Sequence, residues 1–159
     1  MMVSRLQREL GKQRSFELPE QEAYLNIVRT NDEFSNRFGK LFREYGLTAS
    51  QYNVLRILRG EGKPMPCLEI SARMVQVVPA MTGLLDRLEA QGLISRDRCT
   101  EDRRVVFIQP TPKALQLLKS MDQPVQELHR SLMGHLTPDE LSELSRLLEK
   151  ARTSLDQDE

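Results

Sequence analysis

Val78-Pro79-Ala80-Met81-Thr82-Gly83-Leu84-Leu85-Asp86-Arg87-Leu88-Glu89-Ala90-Gln91-Gly92-Leu93-Ile94-Ser95-Arg96, with the hairpin-forming Arg98 to Ile108 behind it, is the stretch whose reading decides the fold. Met81, Leu84, Leu85 and Leu88 stand at i, i+3, i+4 and i+7, so they form the buried stripe of a helix that Pro79 opens and Gly92 ends. Directly after Gly92 the period changes from helical to strand-like. Leu93 to Arg96 reads as a short strand, Cys99 to Arg103 as a polar turn, and Val105 to Ile108 as the returning strand.

Working outward, Pro66 suits the first turn of a short preceding helix that runs to about Met74, after a brief extended link Lys63-Pro64-Met65. Upstream of that, Thr48-Ala49-Ser50-Gln51 has the form of a capping box and opens a helix with Val54, Leu55 and Leu58 inward. A long helix from about Pro19 to Tyr45 carries Tyr24, Leu25, Val28, Phe34, Phe38, Leu41 and Phe42 near helical spacing, with Gly46 as its stop. At 1.5 Å per residue it spans roughly 40 Å, enough to pack against more than its own subunit. Downstream, Thr111-Pro112 and Thr137-Pro138-Asp139-Glu140 start two further helices, the latter with a capping box. Residues 1–17 have no clear period and read as a tail or arm.

Two short helices joined by a tight turn, then a hairpin, is the order of a winged helix-turn-helix. The fold class is therefore mainly α with a small β-wing, flanked by long N- and C-terminal helices. In that geometry the second helix enters the major groove and the first crosses the backbone. The hairpin between Arg96 and Arg104 is the wing, and arginine suits a wing because a narrow minor groove concentrates negative potential.

Composition sets limits on the alternatives. The 159 residues, 39% hydrophobic and 29% charged, suit one globular domain. The 23 basic residues balance 23 acidic ones, so any attraction to nucleic acid must be local. Arg96, Arg98, Arg103 and Arg104 supply such a patch, while the chain from Asp122 to Glu159 is acidic. The basic N-terminus has no apolar run behind it, and no stretch approaches membrane-helix length, so a cytoplasmic protein is expected. Cys67 and Cys99 alone make no disulfide framework. They lie close to the DNA-binding elements, but oxidation sensing would need an exposed, low-pKa thiolate. His129 and His135 are six apart and share no helix face, and phosphate loops and nucleophile motifs are missing. The reading is therefore not an enzyme, with no metal and no cofactor.

The runs Gly46-Leu47-Thr48, Gln51-Tyr52-Asn53-Val54-Leu55, Leu84 to Ile94 and Asp102-Arg103-Arg104 together resemble the multiple-antibiotic-resistance regulator (MarR) family over about residues 20–153. The resemblance implies a homodimer built by helices in 18–47 and 111–155, with a DNA-binding lobe at 48–110. It also implies repression from a pseudo-palindromic operator and release by a small aromatic or anionic ligand. Carried over by position, Arg104 is the wing arginine for the minor groove and Asp102 holds the wing tip. Arg98, Arg103 and Arg73 are candidate phosphate contacts. Ala80, Thr82 and Gly83 lie on the outward face of the recognition helix, and Gln76 and Thr82 are its candidates for base edges. Tyr24, Phe38, Phe42 and Tyr45 are candidates to line the ligand pocket, or plain core. Asp86 and Arg87 fit supporting ion pairs.

The chain departs from the family pattern at Val77, Val78, Ala80 and Gly83, where many relatives carry polar or charged groups. Few side chains are left to read bases, so wing and phosphate contacts are expected to supply most affinity. The same departure motivates a second reading, a winged-helix protein-interaction module with weak or non-specific DNA binding.

Overall fold

A computed structural model describes residues 4–102 and 104–157. By its internal contacts the chain divides into two units, residues 1–49 and 50–159.

The first unit holds α1 (Arg5–Glu9) and α2 (Pro19–Glu44). The hydroxyl of Ser4 caps α1 by accepting from the Gln7 amide, and Leu6 and Gln7 are buried. A five-residue helix is too short to show a period, which is why this segment reads as a featureless tail in the sequence. Pro19 opens α2 at its first turn, and Gly46, at φ +73°, takes the left-handed conformation that ends it. Phe42 is its one buried residue, while Tyr24, Ile27 and Val28 are exposed.

The second unit contains α3 (Ala49–Glu61), β1 (Met65–Pro66), α4 (Cys67–Ala72), α5 (Met81–Ala90), β2 (Ile94–Arg98), β3 (Val106–Pro110), α6 (Pro112–Met133) and α7 (Pro138–Arg152). A 3₁₀ turn at Thr153–Gln157 follows. The core of this unit draws Val54, Leu55 and Leu58 from α3, Met65 from β1, Ile70 from α4, and Leu84, Leu85 and Leu88 from α5. Ile57 of α3, Leu93 and Ile94 at the start of the hairpin, Ile108 of β3 and Ala114, Leu118, Met121 and Val125 of α6 complete it.

Three boundaries differ from the sequence reading. The link before α4 is a strand: Met65 and Pro66 pair antiparallel with Ile108 and Phe107, giving a three-stranded sheet in the order β1-β3-β2. That pairing holds Pro66 extended at ψ 154°, so it is the N-cap of α4 rather than its first helical residue, and the helix stops at Ala72. Secondly, α5 starts at Met81, not at Pro79. Pro79 lies in a turn, whose φ suits proline as well as a helix start does, and Ala80 has no side chain with which to cap. As the first helical residue, Met81 is only half-buried, whereas the three leucines of the stripe are buried. Thirdly, the hairpin extends two residues further towards its tip on β2 and begins and ends later on β3, with Ile94 opposite Pro110 and Arg98 opposite Val106.

Thr111 caps α6 through its hydroxyl, and the capping box of α7 is complete, with Thr137 Oγ1 and the Glu140 amide 3.2 Å apart and the reciprocal bond at 2.8 Å. Pro124 sits inside α6, leaving the Ser120 carbonyl without its usual donor. No residue of α7 is buried, and Leu144 and Leu147 are exposed. Among the described residues, no helix is long and apolar enough to cross a membrane.

Candidate DNA interface

The helix-turn-helix is α4, the turn 73–80 and α5. The side-chain oxygen of Asn53 on α3 accepts from the Val75 amide at 3.0 Å, pinning the middle of that turn to the scaffold. The far end of α5 is held as firmly. Lys113 places its ammonium 2.7 Å from the Gln91 carbonyl, and the Thr111 hydroxyl donates to the Gly92 carbonyl at 2.7 Å. A cation at a helix C-terminus also meets the negative end of the helix dipole. The Gln51 amide, buried on α3, is 3.5 Å from the Gln91 side chain.

On this framework Thr82 is exposed in the first turn of α5, and Ala80 is exposed immediately before it, as the N-cap residue rather than on the helix face. Gly83 is half-buried, and a Cβ there would meet only the flexible end of Arg87 at 3.6 Å. Gln76 is exposed in the turn, not on the helix, beside Val75 and Val77, which are 81% and 94% exposed.

At the tip of the wing, Asp102 Oδ1 accepts from the Arg104 amide at 2.9 Å, and its own carbonyl accepts from the Val105 amide at 3.0 Å. Cys99 N–H donates to the Val105 carbonyl at 2.9 Å, closing the hairpin. Arg98 and Arg104 are exposed, and among the described residues no carboxylate bonds either guanidinium. Arg103 lies outside the described residues.

Two other arginines are committed to protein partners. Arg96 bonds Asp86 and Glu89 of α5. Arg73, the C-cap of α4, bonds Glu61 at the end of α3, and Lys63 approaches the same carboxylate at 3.3 Å. The bond from Arg73, then that from Lys63, hold the Glu61 carboxyl below its ordinary range. A carboxylate depressed in this way stabilises the fold at neutral pH, and its contribution disappears as pH falls through the folded-state value. In denaturant titrations, wild type is therefore expected to exceed Glu61→Gln in stability at neutral pH. The gap should narrow on acidification below the ordinary carboxylate range. A gap that does not change with pH would remove the pair from the account.

Local signals do not reveal these supports, because the partners of Asn53, Lys113 and Arg73 are 22, 22 and 12 residues away. The aromatic candidates fall into two places. Phe38 and Phe42 are in ring contact, centroids 6.0 Å apart, and Tyr45 is half-buried at the C-cap of α2. Tyr24 is 63% exposed and about 21 Å further along the helix at 1.5 Å per residue, so one chain does not bring all four together. A cavity of about 370 Å³ in the second unit, with Leu58, Lys63, Gln109 and Leu115 in its wall, includes none of them. Among the described residues, no group of three His, Cys, Asp or Glu side chains could hold a metal ion.

The model of the MarR family matches residues 47–106. The multiple antibiotic resistance protein MarR of Salmonella typhimurium is 35% identical over 125 residues, covering 78% of this chain and 86% of that protein. Among solved structures, a MarR transcription factor from Planctomyces limnophilus is 42% identical with a TM-score of 0.66, covering 86% of this chain and 98% of its own. A mutant MarR from E. coli complexed with operator DNA is 26% identical, TM-score 0.74, covering 86% and 99%. Bordetella bronchiseptica BpsR, whose DNA binding is regulated by 6-hydroxynicotinic acid, is 25% identical, TM-score 0.75, covering 87% and 97%.

Proposed function

The chain belongs to the MarR family of transcription regulators, and from that premise we propose that it is a repressor that binds a pseudo-palindromic operator as a homodimer. Each subunit lays α5 in the major groove and reaches the adjacent minor groove with Arg104. Arg98 contacts phosphate on the way, and Arg103 is a further candidate for such a contact. The observation that carries this reading is the division of labour among the arginines. Arg73 and Arg96 are bonded to carboxylates, whereas Arg98 and Arg104 extend into solvent from a hairpin whose tip Asp102 shapes. Arg73 contacts phosphate only by exchanging Glu61 for it, so it contributes less than Arg104. The likeness to a mutant E. coli MarR solved in complex with operator DNA supports an operator as the target.

The helices of 18–47 and 111–155 supply the dimer contacts. Exposed Tyr24, Ile27 and Val28 on α2, and Leu144 and Leu147 on α7, are the apolar surfaces such contacts would cover. A small aromatic or anionic ligand releases the DNA, as the regulation of BpsR by 6-hydroxynicotinic acid suggests, and the Phe38–Phe42 pair is the candidate to receive its ring.

Binding to the duplex upstream of its own coding sequence and to unrelated duplex, each at two salt concentrations, tests the proposal. Tighter binding to its own DNA, weakening steeply as salt rises, is expected, because phosphate contacts release counterions. Equal affinity for both would refute operator recognition. Binding to neither would favour a protein-interaction module, for which exposed Val75 and Val77 would be the contact surface.

A further inference from the structure

We propose that Arg96 is a positioning residue for DNA binding, a clasp that fixes the wing against the recognition helix. The inference rests on the placement of α5 and the wing on one duplex.

The geometry is specific. Arg96 lies in the middle of β2, opposite Ile108 of β3. A single guanidinium nitrogen, Nη1, is 2.7 Å from Asp86 Oδ1 and 2.9 Å from Glu89 Oε2. Those carboxylates stand three residues apart, on one face of α5. Covalently, α5 and the hairpin are joined only through the turn at 91–93, and the clasp adds a side-chain tie between them on the exposed side of that junction.

Fold stability alone does not account for such a cluster. The carboxylates are 58% and 44% exposed, and ion pairs in that setting contribute little to stability. The arrangement also places two negative charges on the helix that approaches phosphate, which by charge alone opposes binding. Orientation offsets that cost. Once α5 is seated, Arg104 reaches the minor groove as an intramolecular event, and its effective concentration there depends on how narrowly the wing is held. The clasp narrows it.

A positioning role reverses the sign expected from simple charge. Removing both carboxylates as Asp86→Asn with Glu89→Gln should tighten DNA binding if they act only by repulsion. Positioning predicts weakening instead, about tenfold on the duplex upstream of the coding sequence, with a shallower salt dependence because wing contacts are lost. Arg96→Ala should weaken binding similarly, and combining it with the carboxylate changes should add little. Arg96→Lys, which keeps a donor and the charge, should recover most of the affinity. Melting temperatures should differ little across the series, so a folding defect would be visible as such.

Tighter binding by the carboxylate variant, or full additivity with Arg96→Ala, overturns the clasp. If at the same time Arg104→Ala still weakens salt-sensitive binding, the DNA-binding function stands and only the clasp fails. Failure of wild type to bind any duplex overturns both.

Discussion

Arg104→Ala is expected to cost about tenfold or more in DNA affinity at each half-site, on operator and unrelated duplex alike, while the oligomeric state stays unchanged. Asp102 accepts the Arg104 amide, so the backbone at this position is fixed before any ligand arrives. The exposed guanidinium has no carboxylate partner among the described residues, so reaching a minor groove breaks no ion pair of that kind. A desolvated arginine in a narrow groove gains from the concentrated potential there. Fluorescence anisotropy at two salt concentrations, with sedimentation as the control for assembly, measures the effect. Unchanged affinity would place the wing off the DNA.

Leu147→Glu is expected to have the second large effect, turning the proposed dimer into monomers at micromolar protein and weakening operator binding with it. Leu144 and Leu147 are 37% and 48% exposed on a helix with no buried residue. A twofold interface uses the same patch twice, so one substitution removes two buried leucines and introduces two carboxylates. Burying a leucine side chain is worth about 1.5–3 kcal/mol, and an unpaired buried carboxylate costs more, so the dimer constant should rise at least about a hundredfold. Sedimentation velocity reads this directly. A variant that remains dimeric would move the interface away from α7.

Where the determining interactions are local, the sequence is explicit. The stripe Leu84, Leu85, Leu88 marks α5, and Thr111 and Thr137 mark the starts of α6 and α7, because caps and helical periods are written within a few residues. The mainly helical architecture with a small wing follows from these. Elements whose reasons lie elsewhere in the chain are not legible this way. Met65 and Pro66 become a strand only because Phe107 and Ile108 come alongside. Arg96 and Arg73 read as members of a basic surface until the structure brings Asp86, Glu89 and Glu61 to them. Asn53 is one of several polar residues on α3 until it meets the Val75 amide. Charge counted along the chain therefore overstates the cationic surface available to DNA: of Arg73, Arg96, Arg98 and Arg104, two are already neutralised.

The two-residue strand β1 also protects the protein from itself. A sheet with an open rim invites strands of other molecules to add to it, and a regulator with exposed apolar helix faces is already prone to sticking. Here one rim is only Met65 and Pro66, and proline has no amide proton to offer a newcomer. The opposite rim, β2, carries exposed Asp97 and Arg98 at its outer end, charges of the kind that blunt a sheet edge. Association is thereby steered away from the sheet, so that the proposed pairing through helices need not lead to fibrils or amorphous precipitate.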